Sequence, residues 1–206
     1  MKLLQKNYSK IGKHIRNINA HNKQKGKHGK AFENFLAEQF NFPMHQQHNE
    51  EVDFPVDVVA QSDAPEELVG DWEVKYYSSK NINSLQLGDV KRKLKSFAKG
   101  LILVLGIYDG DPTNLVDVQF FKIKRNKEIQ KMKTIWSQAS DFVKDRANSI
   151  EKTRELCRSI NNMHKGAFYL NNLCRQERWS NSKQKWENEA RQIALNVKLS
   201  ELQQIA

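Results

Sequence analysis

The chain has 206 residues, 38% of them hydrophobic and 28% charged, with only four Pro and nine Gly. That composition suits one globular domain, or a domain with an appendage, and excludes a disordered or fibrous chain. The formal net charge of +10 is unevenly placed: residues 1–30 hold nine Lys or Arg and no acid, residues 31–120 hold fifteen acids against seven bases, and residues 121–206 hold eighteen bases against nine acids.

An acidic middle between basic ends suits a polyanion partner, because each Lys or Arg that neutralises a phosphate releases a counterion. Charge alone is explained equally well by solubility. Carboxylates held close to a phosphate backbone would need a reason, and a metal ion is the usual one. The longest apolar run, Leu101 to Tyr108, is far short of the ~20 residues that cross a bilayer, and the first residues lack the apolar stretch of a secretory signal. With two cysteines, Cys157 and Cys174, in no CxxC spacing, the expectation is a reduced, cytoplasmic protein with no membrane partner. The six histidines form no ligand pattern, so zinc has little support.

In chain order, residues 1–28 form a basic N-terminal segment in which Tyr8, Ile11, Ile15 and Ile18 have helical spacing. Phe32, Phe35, Leu36 and Phe40 mark the apolar face of a helix that ends before Pro43, with Glu33 beside that face. The β-branched run Val52 to Val59, interrupted by Pro55, predicts a strand, and residues 71–77 predict its partner after a polar turn. A helix is expected over Leu85–Lys99, then a central strand at 101–108 and a further strand at 116–123. After Asn126 the apolar spacing reads as helix throughout. The expected architecture is an α/β core with a mixed sheet of about four strands over residues 29–125, followed by a helical C-terminal region over 126–206.

The chemistry concentrates in Asp57 and the later Glu73-Val74-Lys75. Alternation along a strand sends Glu73 and Lys75 to one face and Val74 to the other. Paired strands could bring Asp57 level with Glu73, where two carboxylates need a cation between them. Oxygen ligands suit a hard ion such as Mg²⁺, and Lys75 could then orient the attacking water. These parts are what metal-assisted phosphodiester hydrolysis requires.

Asp57 followed by Glu73-Val74-Lys75, after a helix bearing Glu33 in Gly29-Lys30-Ala31-Phe32-Glu33, resembles the PD-(D/E)XK nuclease superfamily. The resemblance covers roughly residues 29–123. It implies a restriction-endonuclease-like core in which Asp57 and Glu73 ligate Mg²⁺, Lys75 assists the water and Glu33 supports the site. The proline stands at Pro55 and not immediately before Asp57, which leaves Asp53, of the same strand parity, as a rival. Asp57 is preferred for its apolar Val56-Asp57-Val58-Val59 setting.

The resemblance further implies a DNA endonuclease, with a homodimeric type II restriction enzyme as first choice. A Holliday-junction resolvase or repair nuclease is the alternative, and a non-catalytic DNA-binding protein the third. Gln86 matches a position that contacts the scissile region in some of these nucleases, although a plain surface glutamine explains it better. Lys91, Arg92 and Lys95, with Lys93 and Lys99, give the expected helix a basic face that could follow the DNA backbone, or simply be solvated. Trp72, Trp136, Trp179 and Trp186 could stack on bases, but aromatics at such spacing are more often core.

Overall fold

The computed structural model describes residues 2–21, 27–43, 52–124, 127–145, 147–164, 166–172, 175–180, 185–190 and 192–205. The chain divides into two compact units. One comprises residues 1–82, 99–125 and 202–206, and the other residues 83–98 and 126–201.

The first unit begins with α1 (Lys2–Gln5), α2 (Ile11–His21) and α3 (Lys27–Gln39). The i, i+3, i+4 spacing of Phe32, Phe35 and Leu36 buries one face of α3 completely. Asn41 adopts φ 56° just past its end, and the Phe42 N–H reaches back to the Ala37 carbonyl at 2.8 Å, a Schellman stop. Leu4, Ile11 and Ile15 are buried in the same core, so the basic N-terminal segment is also a packed structural element.

A mixed three-stranded sheet follows, with β1 (Trp72–Ser78) parallel to β3 (Leu101–Tyr108) and β3 antiparallel to β4 (Leu115–Ile123). The central β3 is buried from Leu101 to Ile107, as its unbroken apolar run requires. Trp72, Val74 and Tyr76 face α3, where Phe32 stacks on Tyr76 with ring centroids 5.0 Å apart. Gly106 makes that contact possible. A Cβ there would stand 2.5 Å from Phe32 Cζ and 2.6 Å from Tyr76 Cδ2, closer than packed atoms tolerate. The chain's end returns to this unit, where Ile205 N–H bonds the Phe120 carbonyl of β4.

The expected strand over Val52–Val59 is corrected. Only residues at Phe54 pair with β1, through an isolated antiparallel bridge to Trp72, and the chain then forms α4 (Val56–Ala60). Pro55 carries no N–H for a ladder and caps the helix at φ −70°, ψ 157°; the Val56 N–H goes to Asp71 Oδ1 at 2.7 Å. Val58 and Val59 then share the buried face of one helical turn.

The second unit corrects two further expectations. Ser84–Asp89 is a strand, β2, and the helix α5 runs only over Val90–Lys99, so Gln86 lies on a strand. The region after residue 126 is not all helical: α6 (Lys127–Lys144) and α7 (Ile150–Met163) are followed by β5 (Phe168–Asn172), β6 (Arg175–Ser180), β7 (Lys185–Ala190) and β8 (Ile193–Lys198). An antiparallel sheet of order β2-β8-β5 is centred on β8, buried from Ile193 to Val197, while β6 and β7 pair with each other. Among the described residues, no helix is long and apolar enough to cross a membrane.

Candidate active site

The candidate site lies in the first unit. The pleat of β1 places Trp72, Val74 and Tyr76 on its core face and turns Glu73 and Lys75 to the other. Glu73 is fully buried at 0% exposure, and it is the one acid so buried among the described residues. A carboxylate taken out of water needs a partner, and Lys75 supplies it: its Nζ donates to Glu73 Oε1 at 2.5 Å and to the Val74 carbonyl at 3.2 Å. The lysine keeps 20% of its side chain exposed, so the pair has one buried member and one that reaches the surface.

Asp53 comes from the short extended segment that meets β1 at Trp72. Its Oδ2 accepts the Val74 N–H at 2.6 Å, which ties the aspartate to the residue between Glu73 and Lys75. Glu33 enters from α3, where its Oε2 accepts from Lys30 at 3.0 Å. Its neighbour Phe32 is seated against Tyr76 over Gly106, which fixes the helix against β1 at this point.

The electrostatics join the four residues. Burial pushes the Glu33 carboxyl above the usual range, and the negative charge of Asp53 pushes it further, with Lys30 and Lys75 pulling the other way. Burial works against the Lys75 ammonium, but the Glu73 and Asp53 carboxylates and the hydrogen bond to Glu73 outweigh it and hold its pKa above the ordinary value. Asp53 and Glu73 thus act on Lys75, while Asp53, Lys75 and Lys30 act on Glu33.

Of the expected site residues, Glu33, Glu73 and Lys75 are brought together. Asp57 is the correction. It is exposed on the first turn of α4, where a carboxylate suits the helix N-terminus, and it is not among the charges that shift Glu33 or Lys75. The aspartate beside the cluster is Asp53, and the signal that could have separated the two was Pro55, which ends the extended segment between them. Lys30, the partner of Glu33, was missed; its i, i+3 spacing on one helix was the available clue.

The residues expected to touch DNA belong to the second unit. Gln86 is exposed on β2, and Arg92 and Lys95 are exposed on α5. Lys91 is paired with Asp141 at 2.9 Å, which leaves the helix's basic face less charged than its sequence suggests. Trp72 and Trp136 are buried in cores; the side chains of Trp179 and Trp186, and residues His45, His48 and Cys174, lie outside the described residues.

The donor set of this cluster is carboxylate oxygen only, which is the chemistry that holds Mg²⁺. Among the described residues no three acidic, His or Cys side chains stand close enough to form a ready-made metal centre. The oxygens are engaged by ammonium groups instead, Lys75 on Glu73 and Lys30 on Glu33. A hard divalent cation would compete with those lysines for the same atoms. Comparison of the chain with known protein families, with curated proteins and with solved structures finds no match.

Proposed function

We propose that the chain is a Mg²⁺-dependent DNA nuclease of the PD-(D/E)XK type, working through Glu33, Asp53, Glu73 and Lys75. One observation carries the reading: a fully buried Glu73 shares its site with Lys75, Asp53 and Glu33, an arrangement more acidic than a structural ion pair needs. Burying one acid and matching it with one lysine is enough for a fold; two more carboxylates in the same place destabilise it. A site that holds a perturbed carboxylate such as Glu33 beside a perturbed lysine is a candidate for chemistry.

Phosphodiester hydrolysis needs a water delivered to phosphorus, and charge compensation for the oxygens of the transition state. Bound Mg²⁺ would supply Lewis acidity at the phosphoryl oxygen, with Asp53 and Glu73 to hold it and Glu33 in support. Lys75, held protonated by its carboxylate neighbours, does not take a proton from the water in this state. Its ammonium contributes positive charge and a donor that orients the attacking water or a phosphate oxygen. Glu33, whose ionisation is opposed by burial and by Asp53, would gain from an added cation.

A homodimeric restriction-type endonuclease, acting on a short duplex site, remains the preferred form of this activity; a resolvase or repair nuclease is the alternative. A non-catalytic reading is favoured by a single feature, the close Glu73–Lys75 contact, which would serve equally as a structural pair. Plasmid and branched DNA incubated with the protein and Mg²⁺ separate the three. Discrete plasmid fragments support the restriction reading, cleavage confined to branches supports a resolvase, and intact DNA in both lanes overturns the nuclease.

A further inference from the structure

A cavity of about 310 Å³ opens at the end of the first unit's sheet where β1 and β3 begin and β4 finishes. Gly70 and Gly100 form part of its wall with positive φ of 152° and 98°, conformations that favour glycine, and each turns the chain into its strand. Val69, Leu101, Ile102 and Ile123 form the apolar part of the lining, with Ile102 directly across the ladder from Lys122 on one side and Trp72 on the other. Its charged part is basic: Lys99, Lys122 and Lys124 all line the cavity and all are exposed.

Among the described residues no acid lines this cavity, and none of the three ammonium groups is paired with a carboxylate. Three like charges brought to one concavity repel one another and gain nothing for the fold. An anion would offset that repulsion. The volume is at the lower end of ligand-sized clefts, so it accepts a phosphate with part of its sugar and not a large organic molecule.

We infer that this lysine-lined cavity is a second phosphate site, which takes a backbone phosphate of bound nucleic acid away from the one at the carboxylates. The inference rests on the proposed nucleic-acid function for the identity of the ligand, while the anion chemistry rests on the cavity alone. A phosphate held here positions the nucleic acid without taking part in hydrolysis. Lys99, Lys122 and Lys124 are therefore positioning residues.

The test uses the full chain, isotopically labelled, in EDTA so that no cleavage occurs. Inorganic phosphate is titrated first, then a 12-base-pair duplex, with backbone amide resonances followed by NMR. Saturable shifts at Gly70, Gly100 and Leu101 are expected with both probes. The double substitution Lys122→Gln/Lys124→Gln removes exposed charges, so the melting temperature should hold while those shifts disappear. The slope of log K for the duplex against log salt should also become shallower by about 0.9, one phosphate contact. Phosphate shifts spread evenly over the surface lysines, or a double variant that leaves shifts and slope unchanged, would overturn the site. Saturation by inorganic phosphate with no duplex effect at these amides overturns the nucleic-acid assignment. A duplex that fills the cavity yet is never cut when Mg²⁺ is restored leaves this inference standing and defeats the nuclease reading instead.

Discussion

Asp53 Oδ2 accepts the Val74 N–H at 2.6 Å, so the aspartate is anchored to the residue that separates Glu73 from Lys75 on β1. That bond settles which aspartate neighbours the pair, and the sequence alone left the matter between Asp53 and Asp57.

Substitution should follow the same division. Asp53→Asn is expected to lower DNA cleavage by at least about 100-fold, the scale on which removal of one group that stabilises the transition state acts. Asp57→Asn should stay near the parent rate, because its carboxylate is exposed on α4. Single-turnover cleavage in Mg²⁺ measures both; an active Asp53→Asn beside a dead Asp57→Asn would reverse the assignment.

Glu33 gives a pH signature. Its pKa is raised in the folded chain, by burial first and by Asp53 second, so folding favours the protonated form. The stability it contributes is fully present below the unfolded value, and it is lost as pH rises from about 4.5 through the higher folded value. Glu33→Gln mimics the protonated state. Without metal, the variant's melting temperature should exceed the parent's by an amount that grows as pH rises above the ordinary carboxylate range. Thermal melts between pH 4 and pH 8 check this, and a constant difference would show that Glu33 is not opposed by its neighbours.

The Glu73–Lys75 pair should reveal whether the site accepts a cation. Lys75→Met strands a buried carboxylate, which costs on the order of 3–5 kcal/mol when both members are buried and somewhat less here, where the lysine is partly exposed. Adding millimolar Mg²⁺ should recover a large part of that loss in chemical denaturation, because the ion replaces the missing charge. A variant equally unstable with and without Mg²⁺ would argue for a purely structural pair.

Gly106 connects packing to the site. Gly106→Ala forces a Cβ to within 2.5 Å of Phe32 Cζ, so Phe32 or the backbone of β3 must shift. Overpacking of this kind costs about 1–3 kcal/mol. Because Glu33 follows Phe32 on α3, cleavage should fall by more than DNA affinity does. Unchanged stability and activity together would mean that α3 is not held at this point.

Removal of residues 1–15 bears on the basic N-terminus. Leu4, Ile11 and Ile15 are buried, and Asn7 Nδ2 donates to Gln39 Oε1 at 2.6 Å, so the truncation should lower the melting temperature. The salt dependence of DNA binding by the folded fraction should change little. A stable truncated protein with a much shallower salt slope would return this segment to a DNA-binding role.

What was legible in the sequence was the part where one signal dominated. The unbroken apolar run of β3, the alternation of β1 and the helical spacing around Phe32 each admitted one reading, and the placement of Glu33 on a helix and of Glu73 and Lys75 on one strand face followed from them. Val56–Val59 misled because β-branched residues favour strands, while the missing N–H of Pro55 and the burial of Val58 and Val59 decided for a helical turn. Ile193–Val197 is buried at every position, Asn196 included, and so short a buried run has no period that separates strand from helix. In β2 the alternation was present, with Leu85 and Leu87 buried and Ser84 and Gln86 exposed, but the run is too short to outweigh the helix that follows it.

The central claim is that Glu73, Lys75, Asp53 and Glu33 form a metal-dependent hydrolytic site, and one assay reaches it directly. Supercoiled plasmid is incubated with the parent chain and with Glu73→Gln, each in EDTA and in Mg²⁺, after both proteins are shown to melt cooperatively. Cleavage by the parent in Mg²⁺ only, with none by Glu73→Gln, is the expected result. Intact plasmid and branched DNA with the folded parent in Mg²⁺, or equal cleavage by parent and variant, would contradict the account.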